Sequence, residues 1–118
     1  MKTKIVLLMT AISVAGMILA GNPLLETYKT PHQTIPFDKI KIEHYMPAFE
    51  EAMKQHDAEI KAIVENPKPA TFENTIVALD RSGSLLTKVS SPFYNLLSSE
   101  TNDEMQAIAQ KVSPLFTE

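Results

Sequence analysis

Residues 47–64 read PAFEEAMKQHDAEIKAIV and carry the clearest helical pattern in the chain. One set of side chains recurs every three or four residues and therefore lines one face of a helix. This set comprises Phe49, Ala52, Met53, His56, Ile60, Ile63 and Val64. On the other face, Glu50 precedes Lys54 and Asp57 precedes Lys61 by four residues, which is typical of a solvated side. The stretch predicts an amphipathic α-helix with Pro47 in its first turn.

A second helical pattern follows the break at residues 66–69, NPKP, and Thr71 is a suitable N-cap for it. Its apolar positions are Ile76, Leu79, Leu86, Val89, Phe93, Leu96 and Leu97. Gly83 lies inside this run and costs about 1 kcal/mol relative to alanine in a helix. We therefore expect a neighbouring backbone to pack closely on Gly83, in preference to a bend, and we expect a kink at Pro92.

A third pattern begins at residues 101–104, TNDE, which fit a capping box with Thr101 as the N-cap. The helix then presents Met105, Ile108, Ala109, Val112 and either Leu115 or Phe116, with an expected kink at Pro114. The pattern runs to the last residue without a stop signal. We expect the polypeptide to continue, and the apolar faces to lie against protein outside this chain.

The amino-terminal side of the helices contains prolines and no helical period. Residues 22–40 include Pro23, Pro31 and Pro36, which favour extended backbone. Apolar side chains at Leu24, Leu25, Tyr28, Ile35 and Phe37 predict a docked strap. The predicted organisation is all-α: a signal peptide over residues 1–21, an extended proline-containing arm over 22–40, and three amphipathic helices over 41–118, with a short turn at 41–45.

The first residues follow the order of a secretory signal. Lys2 and Lys4 precede an uncharged, mostly apolar run from Ile5 to Ala20, and the small residue Gly21 follows. A helix of that run measures about 24 Å, which is short for a bilayer core of about 30 Å. We expect export to a bacterial periplasm with cleavage near Ala20 or Gly21 and no stable membrane anchor. An uncleaved tether is the alternative.

Composition and motifs exclude several kinds of site. The chain has no cysteine, which excludes disulfides and thiolate metal sites. Beyond the signal peptide it has nine basic and fourteen acidic side chains, so we expect no nucleic-acid partner. The zinc motif H-E-x-x-H fails at His56, because Asp57 follows it and Ile60 occupies the second histidine position. His44 points to another face of the helix than His56, and His32 lies in the arm.

Other catalytic patterns are also missing from the sequence. The adjacent acids Glu50–Glu51 and Asp103–Glu104 diverge on a helix, whereas acid chemistry needs two converging groups. No serine stands in G-x-S-x-G or S-x-x-K, and no glycine-rich phosphate loop occurs. We assign no catalytic, cofactor-binding or metal-ligating residue.

Several separate motifs nevertheless resemble one enzyme family. They are NPLL at 22–25, PFDKI at 36–40, EHYMPAFE at 43–50, TFENTI at 71–76, ALD at 78–80, SG at 82–83, FYNL at 93–96 and TNDEMQ at 101–106. In order and spacing they resemble the beginning of bacterial peptidyl-dipeptidases (dipeptidyl carboxypeptidases), members of the thimet oligopeptidase family of zinc metallopeptidases.

This resemblance implies a longer, almost entirely helical enzyme with a deep channel, which releases dipeptides from the carboxyl ends of short peptides. Zinc would be held by an H-E-x-x-H motif in the missing catalytic part of the same polypeptide. This segment would bind no zinc. The segment itself would form part of the channel wall and would be inactive alone. The alternative is a stand-alone periplasmic helical binding protein without enzymatic activity.

Overall fold

The computed structural model describes residues 21–117, and their regular structure is helical. Four α-helices lie within these described residues: α1 (Tyr45–Val64), α2 (Ala78–Arg81), α3 (Ser84–Ser99) and α4 (Asp103–Val112). A π-helical segment, Phe72–Val77, leads into α2, and 3-10 turns cover Pro31–Gln33, Ile42–His44 and Ser113–Phe116. The predicted all-α fold is confirmed. The predicted signal peptide lies outside the described residues, apart from Gly21.

The core forms where α1 packs on α3 and α4. The Phe93 ring meets Tyr45 and Phe49 edge-on, with ring centroids 5.0 Å and 5.2 Å apart. Such aromatic pairs contribute about 0.5–1.5 kcal/mol beyond the area they bury. The other buried hydrophobic side chains of the core are Leu24, Ala48, Ala52, Val89, Met105 and Val112. For this part of the helices, the expectation that their apolar faces need protein from outside the chain is wrong.

The arm docks on the helices, as predicted, through both apolar and polar contacts. Leu24 lies in the core, and the fully buried Asn22 side chain donates a hydrogen bond of 2.7 Å to the His44 carbonyl. The Lys88 ammonium donates to the Glu26 carbonyl and lies 4.4 Å from the centre of the Tyr28 ring. These contacts join the arm to the start of α1 and to α3.

The arm is less extended than its prolines suggested. Tight turns close over Asn22–Leu25 and Pro36–Lys39, where backbone N–H groups donate to carbonyls three residues earlier. Prolines pre-set the backbone for turns as well as for extended chain, which explains the difference. Phe37, which we expected to pack, is 45% exposed.

The predicted second helix is interrupted at Gly83. The helix ends at Arg81, Gly83 adopts a left-handed φ of +72°, and α3 begins at Ser84. The expected close approach exists, but the group that approaches is the His56 side chain and not a backbone. The preference for close packing over a break is therefore wrong, because both occur. Helix α3 runs through Pro92 without interruption.

The helix caps follow one prediction and correct another. Thr71 accepts a hydrogen bond of 3.1 Å from the Asn74 N–H, and the Asn74 side chain accepts one of 2.8 Å from the Thr71 N–H. The N-cap of α4 is Asn102, whose side-chain oxygen accepts from the Met105 N–H at 2.9 Å. The prediction of Thr101 as this cap is wrong by one residue.

The surface ion pairs also differ from those expected. Lys54 lies 3.8 Å from Glu51, and Lys61 lies 3.9 Å from Glu65. The predicted partners were Glu50 and Asp57. Exposed pairs of this kind contribute about 0–1 kcal/mol, which is too little to select one partner. Within residues 21–117, no helix is both long and apolar enough to cross a membrane.

Candidate functional site

A groove of about 840 Å³ runs along α1 on the side of His56. Its lining combines apolar and charged side chains from α1, α3 and the turn after α4. They are Glu50, Met53, Lys54, His56, Asp57, Leu86, Leu115 and Phe116. Grooves of this size hold small ligands or short chain segments, and a mixed lining of this kind can contact both backbone and side chains.

The His56 side chain of α1 packs against Gly83, the residue that precedes α3. A Cβ atom placed on Gly83 would lie 3.0 Å from His56 Nδ1, so the imidazole rests directly on the glycine. His56 Nδ1 is buried and has no hydrogen-bond partner among residues 21–117. The interpretation of His56 as a packing residue on the helix flank agrees with this position.

Glu59, one turn further along α1, anchors the same junction. Its Oε2 accepts a hydrogen bond of 2.8 Å from the Gly83 N–H, and its Oε1 accepts one of 2.8 Å from the Gln55 side chain. The pKa of Glu59 is lowered, first by the hydrogen bond from Gln55, then by that from Gly83, with a smaller effect of His56. The anionic carboxylate therefore ties α1 to the start of α3.

The other histidines have local structural roles. His44 Nδ1 accepts a hydrogen bond of 3.0 Å from the Lys41 N–H and so closes the 3-10 turn before α1. His32 is exposed, and with Gln33 it adopts the left-handed region, at φ values of 57° and 56°. The structure does not bring the three histidines together as a site.

Metal-binding groups do not converge in the described part of the chain. Across residues 21–117, no cluster of three or more histidine, cysteine, aspartate or glutamate side chains could hold a metal ion. The described residues therefore do not fit a zinc ion.

The carboxylates and hydroxyls considered from the sequence are engaged in helix structure. Asp103 and Glu104 stand in the first turn of α4, where negative charge is favourable next to the exposed N–H groups. The hydroxyls of Ser98 and Ser99 donate to carbonyls one turn earlier, at 2.8 Å and 3.0 Å. The assignment of no catalytic residue stays a prediction.

Comparison with known proteins identifies relatives of this segment. No protein-family model matches the chain. The chain is 43% identical over 95 residues to a dipeptidyl carboxypeptidase of Salmonella typhimurium and 44% identical over 97 residues to that of Escherichia coli. These alignments cover 80% and 82% of the chain. The chain matches the amino-terminal part of a dipeptidyl carboxypeptidase.

The dipeptidyl carboxypeptidase match is supported by weaker similarity to a second type of peptidase. An oligopeptidase A of Salmonella typhimurium is 30% identical over 97 residues, which cover 82% of the chain. In each of these relatives, the matched region is 14% of the protein's own length. The aligned residues therefore correspond to a small part of a much longer peptidase.

Proposed function

We propose that this chain is the amino-terminal segment of an exported zinc peptidyl-dipeptidase, which releases dipeptides from the carboxyl ends of oligopeptides. The observation that carries the proposal is the identity of 43–44% to two dipeptidyl carboxypeptidases across four fifths of the chain. The role of the segment is to form part of the wall of the substrate channel. Short peptides are the substrates of the whole enzyme.

The chemistry of cleavage belongs to the rest of the polypeptide. In the family that the sequence resembles, a zinc ion held by the H-E-x-x-H motif and a later glutamate would supply the chemistry of peptide hydrolysis. The described residues do not fit zinc, so the ion would be held in the catalytic part that follows. The contribution of this segment is the groove beside His56, which offers apolar and charged contacts along a bound peptide.

Export of the enzyme is part of the proposal. It is supported by the order of charged, apolar and small residues in the first 21 positions. The compartment would be the periplasm of a bacterium. The amino-terminal residue and the cell fraction of the purified protein check this point. A protein that begins near Gly21 supports export with cleavage, one that retains Met1 in the membrane fraction supports the uncleaved tether, and one that retains Met1 in the cytoplasm contradicts export.

Two experiments test the enzymatic proposal. The reading frame beyond codon 118 should encode an H-E-x-x-H motif and a later glutamate, and its absence would remove the peptidase assignment. The 118-residue chain, supplied with zinc, should not cleave an amino-terminally blocked tripeptide, whereas the protein encoded by the whole reading frame should release its carboxyl-terminal dipeptide. Cleavage by the 118 residues alone would overturn the scaffold role.

A second candidate function is a stand-alone periplasmic binding protein. It is favoured by the aromatic core of Tyr45, Phe49 and Phe93, which closes within the chain. A stop codon directly after Glu118, together with a monomer that unfolds cooperatively, would select this function over the peptidase segment.

A further inference from the structure

The second half of α1 and the following segment through the end of α2 form a hairpin with few buried side chains. We call residues 57–81 the tip hairpin. All residues from Met53 to Lys88 are described, and none of them is fully buried. The buried core ends at Ala52 and resumes at Val89. The tip hairpin therefore projects from the packed part of the molecule.

Large apolar side chains are exposed along one side of the tip hairpin. Phe72, Ile76 and Leu79 are 71%, 52% and 53% exposed. Their spacing of four and three residues places them on one face of the helical segment, which we call the apolar strip. Val64, at the end of α1, is 77% exposed. Single exposed apolar residues are common, but a row of them is typical of a contact surface.

The apolar strip is held in place by polar contacts. At its start, Thr71 and Asn74 cap each other, and the Asn74 side chain also donates a hydrogen bond of 2.9 Å to the Pro69 carbonyl. Beyond its end, the Gly83 N–H is bound by Glu59 at 2.8 Å. A surface that is already ordered loses little conformational freedom when a partner covers it.

We infer that the apolar strip is the surface on which the helical remainder of the polypeptide packs. This inference rests on the proposed function, and it names where the two parts of the enzyme meet. Because the matched region is 14% of each relative's length, most of such a polypeptide lies outside this chain. The covering surface is apolar, since apolar groups gain most from contact with Phe72, Ile76 and Leu79.

The absence of cysteine from the sequence allows a direct test. Ile76→Cys places one thiol on the apolar strip, and Glu73→Cys places one on the same π-helical segment beside it. Each variant is made in the 118-residue chain and in the polypeptide encoded by the whole reading frame, with any other cysteines replaced by serine. The rate of labelling by a maleimide is measured in all four proteins.

The thiol at position 76 should be labelled at least about tenfold more slowly in the longer polypeptide than in the 118-residue chain. The thiol at position 73 should change by less than about twofold. Equal rates at position 76 in the two proteins would overturn the inference. So would protection of position 76 in the 118-residue chain that grows with concentration, because a second copy would then be the occupant.

Hydrogen exchange of the unmodified proteins gives a second readout in case a substitution disturbs folding. Amides of residues 72–79 should exchange more slowly in the longer polypeptide. Peptide cleavage by that polypeptide is measured in parallel. Cleavage without protection would overturn the surface but keep the proposed function, whereas protection without cleavage would overturn the function alone.

Discussion

At Gly83, three requirements meet in one residue: a left-handed backbone, contact with the His56 ring and a hydrogen bond to Glu59. Alanine would have to adopt φ of +72° and bring its Cβ within 3.0 Å of His56 Nδ1. We expect Gly83→Ala to reduce the free energy of unfolding by about 1–3 kcal/mol, as measured by urea denaturation.

Gln110→Ala, at an exposed position of α4, is the control for this prediction. It removes an exposed side chain from a helix, so it should change the free energy of unfolding by less than about 0.5 kcal/mol. Adding His56→Ala to Gly83→Ala should recover part of the loss, because it removes the crowding but not the backbone strain. Equal stability of Gly83→Ala and Gln110→Ala would contradict the role of Gly83.

The carboxylate of Glu59 should make stability depend on pH. Its pKa is lowered in the folded chain, chiefly by the hydrogen bond from Gln55. The ionised form therefore stabilises the fold above the pKa of the unfolded chain, and this contribution is lost as the pH falls through the lower pKa of the folded chain. Glu59→Gln should be less stable than wild type near neutral pH, and the difference should shrink on acidification.

Urea denaturation between about pH 7 and pH 3 measures this difference. Glu100→Gln, at an exposed carboxylate after α3, is the control and should remain parallel to wild type. His56 lies at the same junction and has a smaller lowering effect on the Glu59 pKa, so the difference between the two proteins includes the interaction of Glu59 with His56. A constant gap between wild type and Glu59→Gln at all pH values would contradict the prediction.

At the scale of single elements, the start of α4 separates the predicted cap from the observed one. Asn102 caps the helix by accepting from the Met105 N–H, whereas the Thr101 hydroxyl only accepts a weaker bond of 3.3 Å from Gln106. Asn102→Ala should cost about 1 kcal/mol of the free energy of unfolding, and Thr101→Ala less than half of that. A larger loss of unfolding free energy for Thr101→Ala than for Asn102→Ala would show that Thr101 is the N-cap.

At the scale of the whole molecule, the packed core and the tip hairpin should respond differently to loss of an aromatic ring. Phe93 is fully buried, so Phe93→Ala should cost about 3–5 kcal/mol and leave the chain largely unfolded. Phe72 is 71% exposed, so Phe72→Ala should change the free energy of unfolding by less than about 0.5 kcal/mol. Circular dichroism during urea denaturation measures both.

A large loss for Phe72→Ala would mean that the apolar strip is covered within the 118 residues. A small loss for Phe93→Ala would mean that the aromatic core does not hold the chain together. Either result would contradict the division of the molecule into a packed part and a tip hairpin.

Much of the local structure can be predicted from the sequence. The period of α1 and the cap at Thr71 depend on side chains within a few residues of each other, and both were predicted correctly. The Asn22 turn could also have been found, because asparagine before proline commonly accepts from the N–H two residues on, as it does from Leu24 at 3.1 Å.

The sequence alone determined the helical class, the main apolar stripes and the resemblance to peptidases, because each depends on short-range patterns or on ordered motifs. Tertiary structure decided which parts of those stripes are buried, since Phe93 and Ile76 fit the same helical period and differ only in what packs against them. It also decided the partners of Gly83, because the side chain of Glu59 is 24 positions away along the chain and is brought near only when α1 folds against α3. Long-range contacts of this kind depend on how helices are arranged in space, which a local pattern does not encode.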